Sequence, residues 1–249
     1  MKNDLVLEVR GLTKRYGGIV ACQDVDFDVQ RGTLTAIVGD NGAGKSTLLK
    51  ILTGAVRPDE GTVRLNGEEV KLTSPIHAHK LGIEVLYQEL ALAPNLDTVS
   101  NMFLGREIQK RILGIPGFSR LDTQKMISET ASAIERLHVN IPSYSGVPIG
   151  RMSGGQRQSV AIARSVHWLS HVLFMDEPTA ALGHVESAAV LELVKTVLKQ
   201  GVSVVMVSHI LPHVVELADH VIVMQHGKKI ADLTGDVTAE QIIKLIVGA

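Results

Sequence analysis

Lys45, followed by Ser46 and Thr47 and preceded by Gly39-Asp40-Asn41-Gly42-Ala43-Gly44, is the stretch whose residue types and spacing most directly define a chemistry. Three glycines in six positions let a backbone fold tightly enough to aim successive N–H groups at one anion. Backbone from Gly39 through Asn41, Gly42, Ala43 and Gly44 to Thr47 is therefore expected to cradle phosphates, with Lys45 reaching β- and γ-phosphates and Ser46 supplying an oxygen to Mg²⁺. Leu34-Thr35-Ala36-Ile37-Val38 before the loop reads as a buried strand. Leu48, Leu49, Ile51 and Leu52 after it recur at helical spacing, so the positive end of a helix points at the same anion.

Phosphoryl transfer to water also needs a metal ligand and a group that orients the water. Asp176 and Glu177 end the apolar run Val172-Leu173-Phe174-Met175 and are expected in those two roles, Asp176 toward Mg²⁺ and Glu177 toward water. In a doubly wound sheet the carboxyl ends of the strands face the ligand. Ser153-Gly154-Gly155-Gln156 opens the helix before that strand, and its exposed N–H groups are expected to form a second anion-binding helix start.

The elements that must position these residues follow from the hydrophobic pattern. Leu5 to Arg10 and Asp24 to Val29 alternate as half-buried antiparallel strands, with a turn at Arg15-Tyr16-Gly17-Gly18. Thr62 to Leu65 and Glu68 to Lys71 flank Asn66-Gly67, a two-residue hairpin signal. Ser74-Pro75 starts a helix ending at Gly82, and Ile83 to Leu86 follows as a core strand. From residue 87 to 148 the pattern becomes helical, at Met126, Ile127, Thr130, Ile134 and Leu137, between loops holding Pro116, Gly117, Pro142 and Gly146. Helices over Gly154 to Trp168, Val185 to Lys199 and Pro212 to Asp219 then alternate with strands Val172 to Met175, Val202 to Val207 and Val221 to Met224. Thr238 and Gln241 make a capping box for a last helix. The order predicts an α/β fold: a mostly parallel sheet covered on both faces, an antiparallel β layer, and an inserted helical lobe. One domain is expected over 1–249, its core at 1–86 and 149–249 and its lobe at 87–148.

Composition narrows the partners. The 25 Lys and Arg against 26 Asp and Glu leave a net charge of −1, no electrostatic footprint for nucleic acid. The single Cys22 excludes an internal disulfide and fits a reducing compartment. No apolar run approaches the roughly 18 residues of a membrane span, and Met1-Lys2-Asn3-Asp4 lacks a signal-peptide core, so membrane work is expected to go through a partner.

Gly39 to Thr47, Gln88, Ser153-Gly154-Gly155-Gln156, Asp176-Glu177 and His209, in this order, resemble the nucleotide-binding subunit of ATP-binding cassette (ABC) transporters over nearly the whole chain. The resemblance implies an ABC ATPase fold on a P-loop NTPase core. It implies ATP and Mg²⁺ as ligands, Gln88 joining Mg²⁺ to the helical lobe, His209 contacting the γ-phosphate, and Tyr16 stacked on adenine. It further implies that two copies close on two ATP molecules, each lending Ser153 and Gly155 to the other's nucleotide. Leu81 to Leu96 and Met102 to Glu107 look like the importers of monosaccharides, the ribose, xylose, galactose and fructose group. The expected function is thus ATP-driven monosaccharide uptake with integral-membrane permease subunits, a sugar-binding protein acting indirectly, at the cytoplasmic face of the membrane. An exporter or a ribosome- or DNA-associated ABC ATPase is the alternative. Two positions depart from the family pattern: Met152 stands where Leu is usual, and Gly183 where an Asp commonly reaches across the dimer.

Overall fold

A computed structural model describes residues 4–111, 119–141, 143–169 and 171–248. The expected loop residues Pro116, Gly117 and Pro142 lie outside this set. In chain order the first elements are β1 (Leu5–Tyr16), β2 (Ile19–Gln30), β3 (Leu34–Val38), α1 (Lys45–Leu52), β4 (Glu60–Leu65), β5 (Glu68–Val70), α2 (Pro75–Lys80) and β6 (Ile83–Leu86). Then come α3 (Thr98–Met102), β7 (Gln109–Arg111), β8 (Ser119–Leu121), α4 (Thr123–Arg136), α5 (Gly154–Trp168) and β9 (Val172–Asp176). The chain finishes with α6 (His184–Lys199), β10 (Ser203–Val207), α7 (Leu211–Leu217), β11 (His220–Gln225), β12 (Lys228–Thr234) and α8 (Ala239–Val247). They gather into two compact units. The first holds the chain up to Gln88, Trp168–Ala180 and everything from Val194 on; the second holds Glu89–His167 and Ala181–Leu193.

The first unit contains two sheets. One is antiparallel, in the order β2-β1-β4-β5; the other runs β12-β11-β3-β10-β9-β6. Every pairing in the second sheet is parallel except β11 with β12. Its inner strands are buried at every position of β3 and β10, which is why they read as unbroken apolar runs rather than alternations. Leu48, Ile51 and Leu52 of α1 share one apolar cluster with Val9 and Phe27 of the antiparallel sheet and Phe174 of the parallel one. The helix that starts at the phosphate loop is thereby anchored to both sheets.

Local signals explain most boundaries. Asn66 and Gly67 have φ of 52° and 83°, the left-handed pair that closes β4 onto β5. Ser74 caps α2 by accepting the His77 N–H, and Thr238 and Gln241 cap α8 reciprocally. Three expectations need correction. β1 and β2 are each 12 residues long, so Arg15 and Tyr16 belong to a strand and only Gly17-Gly18 turns; β-bulges interrupt the alternation that would have shown the full length. β12 was absent from the expected pattern, because its alternating residues are half-buried at best beside a fully exposed series. α7 begins at Leu211 and ends at Leu217, short of Asp219, whose carboxylate instead accepts the Leu34 N–H at 2.8 Å.

In the second unit α4 buries Met126, Thr130 and Ile134 of the expected stripe together with Ala133, and Leu137 beyond its end is buried too, whereas Ile127 is only half-buried. β7 and β8 pair antiparallel there, a feature with no signature in the expected helical pattern. A smaller apolar cluster joins Ile149, Met152 and Val160, with Leu92 and Ile141 packed against it. Met152 therefore does the packing work of an aliphatic side chain of similar volume.

Candidate functional site

Parallel register brings the expected chemistry to one edge of the six-stranded sheet. Val207 pairs with Ile37 on one side and Asp176 on the other, while Leu86 pairs with Met175. The carboxyl ends of β3, β10, β9 and β6 are thus neighbours. The loop from Gly39 leaves the first, His209 follows the second, Asp176 and Glu177 end the third, and Gln88 lies just beyond the fourth.

The loop itself is shaped by close backbone approaches. Gly39 has φ +147°, and a Cβ there would lie 2.1 Å from the Met224 carbonyl oxygen; Gly44 has φ +100°, and a Cβ there would lie 2.3 Å from that of Ala21. No other residue fits either place. Gly42, also at positive φ, opens onto free space. Lys45 is buried, and its Nζ donates to the Gly39 and Asp40 carbonyl oxygens at 2.6 and 2.9 Å. The ammonium thus spans the loop. Burial pulls the Lys45 pKa down, opposed by the charges of Glu177, Asp40 and Asp176. Ser46 is exposed at the first turn of α1. Beneath the loop, Cys22 is buried, and its Sγ donates to the Gly44 carbonyl at 3.5 Å, with burial pushing the thiol pKa up to about 11. The thiol is a structural prop and not a nucleophile.

Asp176 is half-buried. Burial first, then the neighbouring Glu177, holds its pKa above the ordinary carboxylate range, while Lys45 and Lys50 work against them. Glu177 has φ +49°, a left-handed conformation uncommon for a residue with a side chain, fixed by donation of its N–H to the Val207 carbonyl at 2.9 Å. Its Oε1 meets His209 Nδ1 at 2.9 Å. The two side chains therefore form a pair at the sheet edge, which neither residue's sequence context disclosed. Tyr16 is 46% exposed at the tip of the β1–β2 hairpin, with the Lys14 ammonium 5.6 Å from its ring centroid. Ala21, on the same hairpin, touches the phosphate loop at Gly44.

These donors suit the ligands the chemistry requires. Glycines whose Cβ positions are filled by backbone, together with a buried ammonium, make a cradle for polyphosphate. Ser46 and Asp176 offer hard oxygens. Among the described residues no group of three His, Cys, Asp or Glu could hold a metal alone.

Ser153, Gly154, Gly155 and Gln156 lie in the second unit at the start of α5. The sequence predicts N–H groups exposed to an anion here, yet several are occupied. Ser153 N–H donates to Gln156 Oε1 at 3.0 Å, Gln156 N–H to Ser153 Oγ at 3.3 Å, and Gly155 N–H to Glu186 Oε1 at 3.3 Å. Glu186 has no local sequence signature for this contact, because Gly155 is 31 positions away in the chain. Two more residues act through contacts that no motif announces. Arg164 of α5 donates to the Ala91 and Leu90 carbonyls at 2.9 and 3.0 Å, and buried Asn101 donates to those of Ala93 and Asp97 at 3.1 and 2.9 Å. Both organise the segment after Gln88. A polar Asn inside the apolar face of α3 was the available clue.

The ABC transporter family profile matches residues 22–180. The chain is 42% identical to the fructose import ATP-binding protein FrcA of Rhizobium meliloti, over all of this chain and 96% of that one. It is 40% identical to the xylose/arabinose import ATP-binding protein XylG of Sulfolobus acidocaldarius, over 90% of this chain and 86% of that one. Against a putative ribose/galactose/methyl galactoside import ATP-binding protein of Rhizobium meliloti it is 38% identical over 99% of its length, spanning 47% of that relative. A nucleotide-free ATP-binding cassette from an ABC transporter superposes with a TM-score of 0.81 at 25% identity, covering 98% of this chain and 96% of that one. The chain belongs to the ABC transporter family and has the fold of its ATPase cassettes. It is an ATP-binding ATPase of that family.

Proposed function

We propose that the chain is the ATP-binding subunit of an ABC importer that drives uptake of a monosaccharide. It works as a peripheral partner of integral-membrane permease subunits at the cytoplasmic face, with a sugar-binding protein delivering the solute. The names of the relatives support import and sugar. Among the described residues no helix is long and apolar enough to cross a membrane, which is in keeping with a separate permease.

The observation that carries the chemistry is the convergence of Lys45, Asp176 and the Glu177–His209 pair at adjacent strand ends. In the proposed reaction Tyr16 stacks on adenine and the backbone from Gly39 to Thr47 holds the phosphates. Ser46, Asp176 and Gln88 would hold Mg²⁺, which would supply charge neutralisation to the phosphates. Glu177 takes the proton of a water whose oxygen attacks the γ-phosphorus as the bond to the bridging oxygen breaks and ADP leaves. His209, hydrogen-bonded to Glu177, keeps that carboxylate aimed and contacts the γ-phosphate. A second copy completes the site with its own Ser153, Gly154, Gly155 and Gln156.

Glu177→Gln should lower the steady-state ATPase rate by about 10²- to 10⁴-fold while ATP affinity stays within a few-fold. An unchanged rate would remove Glu177 from the chemistry. The solute is identified by isolating the membrane complex and analysing what it binds; a non-sugar solute would overturn the monosaccharide reading.

A further inference from the structure

Within the second unit the turn before α6 approaches the start of α5, and Glu186 in the first turn of α6 bridges them. Its Oε1 accepts the Gly155 N–H at 3.3 Å and its Oε2 accepts the Gly183 N–H at 3.4 Å. These two bonds, then a hydrogen bond from the Ser153 side chain and the charge of Arg157, hold its pKa below the ordinary glutamate range. The approach is close. A Cβ on Gly155 would lie 3.1 Å from Glu186 Cβ, and one on Gly154 would lie 3.5 Å from Oε2. Position 183 belongs to the same arrangement, since a Cβ there would stand 4.0 Å from Oε2. An aspartate at 183 would set a second carboxylate beside the first; glycine supplies only an N–H.

We infer that Glu186 is a positioning residue that occupies the Ser153–Gly155 face in the free subunit and yields it to the γ-phosphate presented by a second, nucleotide-loaded copy. The inference rests on the composite site proposed above. The Gly155 N–H cannot serve the Glu186 carboxylate and a phosphate together, and the two anions repel. Glu186 thus keeps the helix start formed before closure and raises the ATP concentration at which closure occurs. Gly183, which departs from the family pattern, donates its N–H to Glu186 without adding a second carboxylate beside it.

The test places Glu186→Gln and Glu186→Ala in the Glu177→Gln background and follows dimer formation by light scattering during ATP titration. Both substitutions should lower the half-maximal ATP concentration by about three- to tenfold, because an anion at a helix start is a modest interaction counted at two sites per dimer. Gln keeps the shape and removes the charge, so it reports even if Ala disturbs the fold; thermal melts without ATP check that both variants are folded. With Glu177 intact, the KM for ATP should fall without loss of kcat, a split that a merely structural role for Glu186 would not produce. Half-maximal ATP equal to or above that of the Glu177→Gln parent would overturn the role of Glu186 and leave the composite site standing. A parent that stays monomeric at every ATP concentration would overturn both.

Discussion

Asp176 shows how one residue sets function against stability. Its pKa is raised by burial and by Glu177, so folding favours the protonated form. Its contribution to stability is therefore greatest below the ordinary aspartate pKa and is lost as pH rises through the raised one. Once the pH exceeds that raised value the carboxylate is charged and costs stability. Asp176→Asn should accordingly melt higher than the parent at pH 7 without nucleotide, the difference shrinking toward pH 4, and should lose ATPase activity. A lower melting temperature at pH 7 would show that the charge is stabilised where the geometry says it is not. Glu177 carries the complementary cost in its backbone, at φ +49°. Strain of about 1–3 kcal/mol is typical of such a conformation, and here the packing at the end of β9 and the Val207 carbonyl maintain it.

At the scale of elements, the phosphate loop depends on two strands outside its own strand-loop-helix unit. Gly44 must pass the Ala21 carbonyl of β2, and Gly39 must pass the Met224 carbonyl of β11. Gly42 shares their positive φ without a neighbour. Gly42→Ala should therefore lose about 1 kcal/mol from backbone strain, whereas Gly44→Ala adds a backbone collision and should lose several. Chemical denaturation of the two variants side by side checks this ordering; equal midpoints would mean that β2 does not crowd the loop. Much of this level was legible beforehand. The strand-loop-helix order around Lys45, the hairpin at Asn66-Gly67 and the capping box at Thr238 each rest on neighbouring residues, whose local physics a linear reading contains. β12 and the full reach of β1 and β2 were not legible, because exposed alternation and bulges weaken the period that would announce them.

For the whole molecule, the proposed cycle needs two copies, and the phosphate loop enters it as one half of each site. Lys45→Ala should abolish ATP-dependent dimerisation of the Glu177→Gln protein in light scattering, since the ammonium that spans the Gly39 and Asp40 carbonyls is the loop's only buried cation. Dimerisation at unaltered ATP concentration would show that the loop has been given too large a part in closure.

The sequence by itself determined the family and the candidate chemistry: which residues are expected to meet phosphate, which carboxylates end the buried strand, and which family carries that set in that order. Residue type and short-range spacing suffice for that, because a glycine-rich turn into a helix binds anions wherever it occurs. Only the tertiary structure decided which of these groups act on one another. Parallel pairing of β3, β10 and β9 sets Lys45, Asp176 and Glu177 at one edge, the turn after β10 hands His209 to Glu177, and α6 returns Glu186 to the start of α5. Those contacts join residues 31 or more positions apart in the chain. Register and chain return create them, and no local pattern in the sequence encodes either.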